Sequence, residues 1–103
     1  MDYETVIQKI IEKQEDTIGD IARKRAENIE IIEIEDGEIK FNGEAGKSDV
    51  KALMDEYKEI QGQGAIGIAK KAVSEALDGD TDIDLPEEIL PKEVKEERFA
   101  SAI

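Results

Sequence analysis

Cysteine, histidine and tryptophan are all absent from this chain of 103 residues. Without cysteine there are no disulfides, no thiolate nucleophile and no thiolate zinc site. Without histidine there is no imidazole acid–base catalysis near neutral pH. Any chemistry must run on carboxylates, lysines, hydroxyls or backbone groups. Aromatic residues are scarce too. Only Tyr3, Phe41, Tyr57 and Phe99 are available, so the core has to be aliphatic, and isoleucine is the commonest apolar residue. Positive charge is short as well: 14 Lys+Arg stand against 27 Asp+Glu, a net charge of −13. Phosphate backbones and anionic membrane surfaces are repelled by such a chain, so neither nucleic acid nor a membrane is expected as a partner. A basic protein, a cation or plain solubility fits the charge. The longest uncharged run, Ile60 to Ala69, is too short and too polar to span a bilayer. The acidic opening Met1-Asp2-Tyr3-Glu4 does not suit a signal peptide, so the expected compartment is the cytoplasm.

The length allows one domain, and a domain of this size buries only about 60–70% of the surface its unfolded chain exposes. From Asp2 to Asn28, Tyr3, Ile7, Ile10, Gln14, Ile18, Ile21 and Arg25 recur at spacings of three and four, with Val6, Ile11 and Ala22 widening the stripe. This predicts a helix. Gly19 weakens it, and Thr17-Ile18-Gly19-Asp20 fits a capping box, so the segment is either one bent helix or two helices meeting near Asp16.

The clearest local signal follows. Ile32-Glu33-Ile34-Glu35 and Glu38-Ile39-Lys40-Phe41 alternate on either side of Asp36-Gly37, a pair suited to the two positive-φ positions of a type I′ turn. This predicts an antiparallel hairpin pairing Ile34 with Ile39 and Ile32 with Phe41 on one face. Glu33 then meets Lys40 on the other, and Glu35 opposes Glu38 next to the turn. The apolar face should pack against the first helix and the one that follows. Ser48 is expected to cap that following helix, which begins at Asp49. Val50, Leu53, Met54, Tyr57 and Ile60 form its apolar arc. Gln61-Gly62-Gln63-Gly64 should bend or break it, leaving one long broken helix or two consecutive ones. Beyond the break, Ala65, Ala69, Ala72 and Ala76 form a seam that lets another helix approach closely.

From Asp78 the character changes. Residues 78–103 read as an acidic linker and C-terminal docking tail appended to a compact α+β domain over residues 1–77. In the tail, Leu85, Ile89, Leu90, Val94 and Phe99 are too apolar for a solvating segment and too few for a core. They are candidate anchors in a groove of the main body, a second subunit or another protein.

Three stretches carry possible chemistry. Gly43-Glu44-Ala45-Gly46-Lys47-Ser48 mimics the end of a phosphate-binding loop, G-x-x-x-x-G-K-S/T, in which glycine amides, a lysine and a hydroxyl hold phosphates. Gly43, Gly46, Lys47 and Ser48 are therefore candidate phosphate ligands. Against this, Phe41 stands where the first glycine belongs, and the preceding strand belongs to a hairpin. Gly62-Gln63-Gly64-Ala65-Ile66-Gly67 matches a dinucleotide fingerprint, but a helix leads into it where that mechanism needs a strand. Asp78, Asp80, Asp82 and Asp84 occupy the first four odd positions of a calcium loop. Ile83 and Ile89 replace its glycine and its closing glutamate. A turn followed by the Ser48 cap, a helix break and a solvated linker are the simpler readings of the three stretches. No cofactor is implied. A two-stranded hairpin is marginal alone and leaves its edges open, which two copies joining across a two-fold axis would resolve. The sequence thus points to a homodimeric, non-enzymatic interaction or regulatory module, with phosphate binding at Gly43–Ser48 and cation binding at Asp78–Asp84 as rivals.

Overall fold

A computed structural model of the chain describes residues 2–77 and 83–90. Among these residues the order is helix α1 (Tyr3–Ile18), helix α2 (Ile21–Ala26), strand β1 (Ile32–Glu35), strand β2 (Glu38–Phe41), helix α3 (Lys47–Gln61) and helix α4 (Gly64–Leu77). A single 3-10 turn, Glu87–Ile89, follows. The class is α+β, mostly helical, with one antiparallel hairpin.

Asp2 starts α1, its carboxylate accepting from the Thr5 N–H at 2.8 Å. Hydrogen bonding from Thr5, first by its side chain and then by its N–H, holds the carboxyl below its ordinary range. The helix ends at Gly19, whose φ of +73° suits glycine alone. The break therefore lies three residues beyond Asp16, and the Thr17 hydroxyl caps nothing, donating instead to the Lys13 carbonyl inside α1. Crossing Gly19 resets the helical phase. Ala22 and Ala26 turn into the core, while Ile21, which an unbroken period places on the apolar stripe, is 39% exposed.

The hairpin has the expected register: Ile32 with Phe41, Glu33 with Lys40, Ile34 with Ile39 and Glu35 with Glu38. Asp36 (φ 51°) and Gly37 (φ +79°) form its turn. A corner closed by the Ile32 N–H on the Ile29 carbonyl (2.9 Å) leads from α2 into β1. Of the apolar face only Ile32 is fully buried; Ile34, Ile39 and Phe41 are half-buried at the core's margin. The hairpin is thus more peripheral than its pattern implies.

Helix α3 begins at Lys47, not Asp49. Gly46 is the capping residue, and its N–H donates to Asp49 Oδ2 at 2.9 Å, which leaves Ser48 in the first turn. Val50, Leu53, Met54 and Tyr57 are buried; Ile60, at the arc's end, is 36% exposed. Gly62 (φ +59°) breaks the chain, and α4 turns back to pack its alanines against α1 and α3. Ala65, Ala69, Ala72 and Ala76 are all buried. Tyr57, the one fully buried aromatic among the described residues, donates its hydroxyl to the Ala22 carbonyl at 2.8 Å and joins α3 to α2. Ile83, Leu85, Ile89 and Leu90 close the same core from the C-terminal side.

Gly67 lies on the exposed face of α4, and a Cβ there meets nothing within 4 Å. Gly67→Ala should therefore stabilise by about 0.5–1 kcal/mol through helix propensity. Gly62→Ala, forced to a positive φ, should destabilise by about 1 kcal/mol or more. Urea melts of the two variants read both signs. A second outcome follows from Tyr57. Burial raises the pKa of its phenol above the ordinary value of 10.0. The folded state keeps the proton that the unfolded chain releases, so this contribution is complete below pH 10 and declines as pH rises from there. Tyr57→Phe should flatten the alkaline fall in stability, at a cost near neutrality of about 0.5–1.5 kcal/mol for the lost hydrogen bond.

Candidate interaction site

In an antiparallel hairpin, residues alternate between turning their backbone groups toward the partner strand and away from it. Beyond the end of the ladder, the Asn42 N–H donates to the Ile31 carbonyl at 2.9 Å, which fixes the alternation. Pairs 31–42, 33–40 and 35–38 bond inward, so Ile39 and Phe41 present their N–H and C=O groups to the outer edge of β2. No backbone partner meets them among the described residues. Strand β1 offers less. Ile32 has already given its N–H to the corner, which leaves Ile34 as the one strand residue with both groups free on that side.

Charge differs between the two strands. The solvent face of β1 carries Glu33 and Glu35, and that of β2 carries Glu38 and Lys40. Lys40 stands opposite Glu33 in the ladder, but its ammonium does not form the expected ion pair with that carboxylate. Its ammonium lies diagonally on Glu35 Oε2 at 3.1 Å, while Glu33 Oε1 accepts from the Asn42 side-chain amide at 3.0 Å. Beside β2 lies a cavity of about 310 Å³ lined by Gln8, Glu12, Arg23, Gly37, Glu38 and Ile39. Arg23 anchors this corner. Its guanidinium binds the Glu15 carboxylate and donates to the Gly37 carbonyl at 2.8 Å, which ties the end of α1, α2 and the hairpin turn together. Nothing in the spacing of Arg23 identifies this tether, because its partners lie 8 and 14 residues away and across a helix break.

A second concavity, a cleft of about 630 Å³, lies between α3 and the C-terminal segment, lined by Lys47, Ser48, Lys51, Lys58, Pro86, Glu87 and Glu88. Two of the four candidate phosphate ligands, Lys47 and Ser48, reach it. Two of the donors such a site would use are engaged within the chain. The Gly46 N–H holds Asp49, and Lys47 Nζ lies 3.3 and 3.4 Å from the two Asp84 oxygens. Gly43 sits against Ile31. The strand before this loop is β2, in a two-stranded antiparallel sheet. The glycines from 62 to 67 form the break between α3 and α4 and the start of α4. Of the calcium-loop candidates, Asp78, Asp80 and Asp82 lie outside the described residues, and Asp84 takes the Lys47 ion pair. Among the described residues no group of acidic side chains is placed to hold a metal ion. Of the docking candidates, Leu85, Ile89 and Leu90 are buried in the chain's own core, and Val94 and Phe99 lie outside the described residues. The Tyr3 hydroxyl donates to the Asp84 carbonyl (2.7 Å), and Lys58 Nζ makes two bonds to Glu88 (2.7 and 2.8 Å), so 84–88 is held to both α1 and α3.

Comparison with known proteins finds no matching family model, no matching curated protein and no matching solved structure.

Burial ranks these contacts. Ile89→Ala, at a fully buried position, should cost about 2–5 kcal/mol. Lys58→Ala, which opens a part-exposed ion pair, should cost under about 1 kcal/mol. Ile34→Ala on the half-buried hairpin face should fall between them. Urea denaturation of the three variants checks that order, and a small loss at Ile89 would show that residues 83–90 dock loosely.

Proposed function

We propose that this protein is a non-enzymatic interaction module of the cytoplasm that works as a homodimer, its hairpin serving as the joining element. The observation that carries this reading is the open outer edge of β2, where the backbone groups of Ile39 and Phe41 have no partner among the described residues. Half-buried Ile34, Ile39 and Phe41 next to that edge add an apolar margin that a second hairpin can cover. The charge of −13 supports a protein partner over nucleic acid or an anionic bilayer. No described helix is long and apolar enough to cross a membrane. Occupation of Gly46 and Lys47 by Asp49 and Asp84 weighs against the phosphate reading, since an anion has to displace two carboxylates.

Size exclusion with light scattering at micromolar concentration should give a mass near twice 11.5 kDa. A mass of 11.5 kDa at every concentration overturns the homodimer. Calorimetric titration with ATP or GTP and magnesium should show no binding; sub-millimolar binding that Lys47→Ala abolishes would instead support the phosphate site.

A further inference from the structure

We infer that the homodimer is joined through β2 alone, each β2 pairing antiparallel with β2 of the second copy in the register that sets Ile39 on the two-fold axis. This rests on the homodimer reading and adds to it the edge, the register and the charges that select them.

Only residues with outward backbone groups can pair across a new edge, so the alternation limits the choices to a few registers. Through β1, the two-fold registers that use Ile34 set Glu33 against Glu33, Glu33 against Glu35 or Glu35 against Glu35 of the second copy. Each puts carboxylates directly opposite each other on an already acidic surface. Joining β1 of one copy to β2 of the next leaves both ends open and builds a chain of molecules, not a dimer. Through β2, setting Lys40 on the axis opposes two lysines, and setting Glu38 there opposes two glutamates. With Ile39 on the axis, Glu38 faces Lys40 of the second copy, and Lys40 faces its Glu38. Two ion pairs then form at once, and the two Ile39 residues exchange a pair of backbone hydrogen bonds.

The surroundings of β2 suit that register. The cavity lined by Gly37, Glu38 and Ile39 borders the residues that face Lys40 and Phe41 of the second copy, and Glu12 in the same lining offers a second carboxylate near the incoming lysine. Phe41 of the second copy brings its N–H toward the Gly37 carbonyl. Arg23 already donates to that oxygen, but a carbonyl has a second lone pair. Lys40 exchanges its exposed diagonal contact with Glu35 for the new pair. The product is a four-stranded sheet ordered β1-β2-β2-β1, with the half-buried faces of both hairpins on one side.

The absence of cysteine makes the test direct, because each introduced thiol is the only one in its chain. Ile39→Cys should give a disulfide-linked dimer on mild oxidation, since a hydrogen-bonded antiparallel pair holds its Cα atoms about 5.5 Å apart, within disulfide reach. Ile34→Cys should stay monomeric on denaturing gels. Charge gives an independent readout by sedimentation equilibrium. Lys40→Glu and Glu38→Lys should each weaken dimerisation about tenfold or more, and the double swap Glu38→Lys with Lys40→Glu should restore it. Unchanged monomer melts confirm that the variants fold. A wild-type protein that stays monomeric removes the homodimer reading and this inference together. A wild-type dimer that cross-links at Ile34→Cys and not at Ile39→Cys, or that ignores the charge swap, leaves the homodimer standing and overturns the β2 register.

Discussion

Four alanines on one face of α4 set how closely the helices of this protein approach one another, and the rest of the fold follows from that approach. Ala65, Ala69, Ala72 and Ala76 are all buried, and α4 packs against both α1 and α3. Small side chains at such a seam bring the two helices in, so the larger aliphatics beside it, Ile7, Ile10, Ile11, Leu53 and Met54, fill the space on either side with almost no aromatic help. The same closeness has a polar cost. Gln14 is wholly buried on α1, where its amide reaches the Ala65 carbonyl at 3.4 Å and its own carbonyl oxygen has no partner among the described residues.

Because the helices take most of the core, the hairpin is left at its margin. Ile32 enters the buried cluster, and the other three apolar residues of the hairpin face stay half-exposed. Arg23, bound at once to Glu15 and to Gly37, holds the turn against α1 and α2 and fixes the direction in which the β2 edge points. A sheet of two strands supported in this way has an unsatisfied edge and a partly covered face, the two features that association through strand pairing uses. The excess of carboxylates restricts what can pair there. Only β2 carries charges of both signs, so it alone can oppose a copy of itself without repulsion.

Local rules made some of this architecture legible in the sequence. The hairpin register followed from Asp36-Gly37 and period-two alternation. The alanine seam and the break at Gly62 followed from helical spacing and one residue type. Where the reading strayed, a longer-range effect had intervened. The positive φ of Gly19 shifted the phase of everything after it, so Ile21 left the stripe and Ala26 entered the core. Asp49, reaching back to Gly46, started α3 before Ser48. Leu85, Ile89 and Leu90 were legible as anchors, but which groove takes them was not, because the core they enter forms only once the helices have packed. The edge of β2 lies between these cases. Its alternation is visible in the sequence, but the cavity beside it and the Arg23 tether are not.

Amide hydrogen exchange at β2, followed by NMR as the protein is diluted, tests the central claim most directly. If the edge joins a second copy, the outward amides of Ile39 and Phe41 are protected in concentrated solution and lose that protection on dilution. The inward amides of Glu38 and Lys40 stay protected by β1 throughout. Rapid exchange of Ile39 and Phe41 at every concentration, with Glu38 and Lys40 protected, would show a hairpin whose edge remains open and would contradict the account.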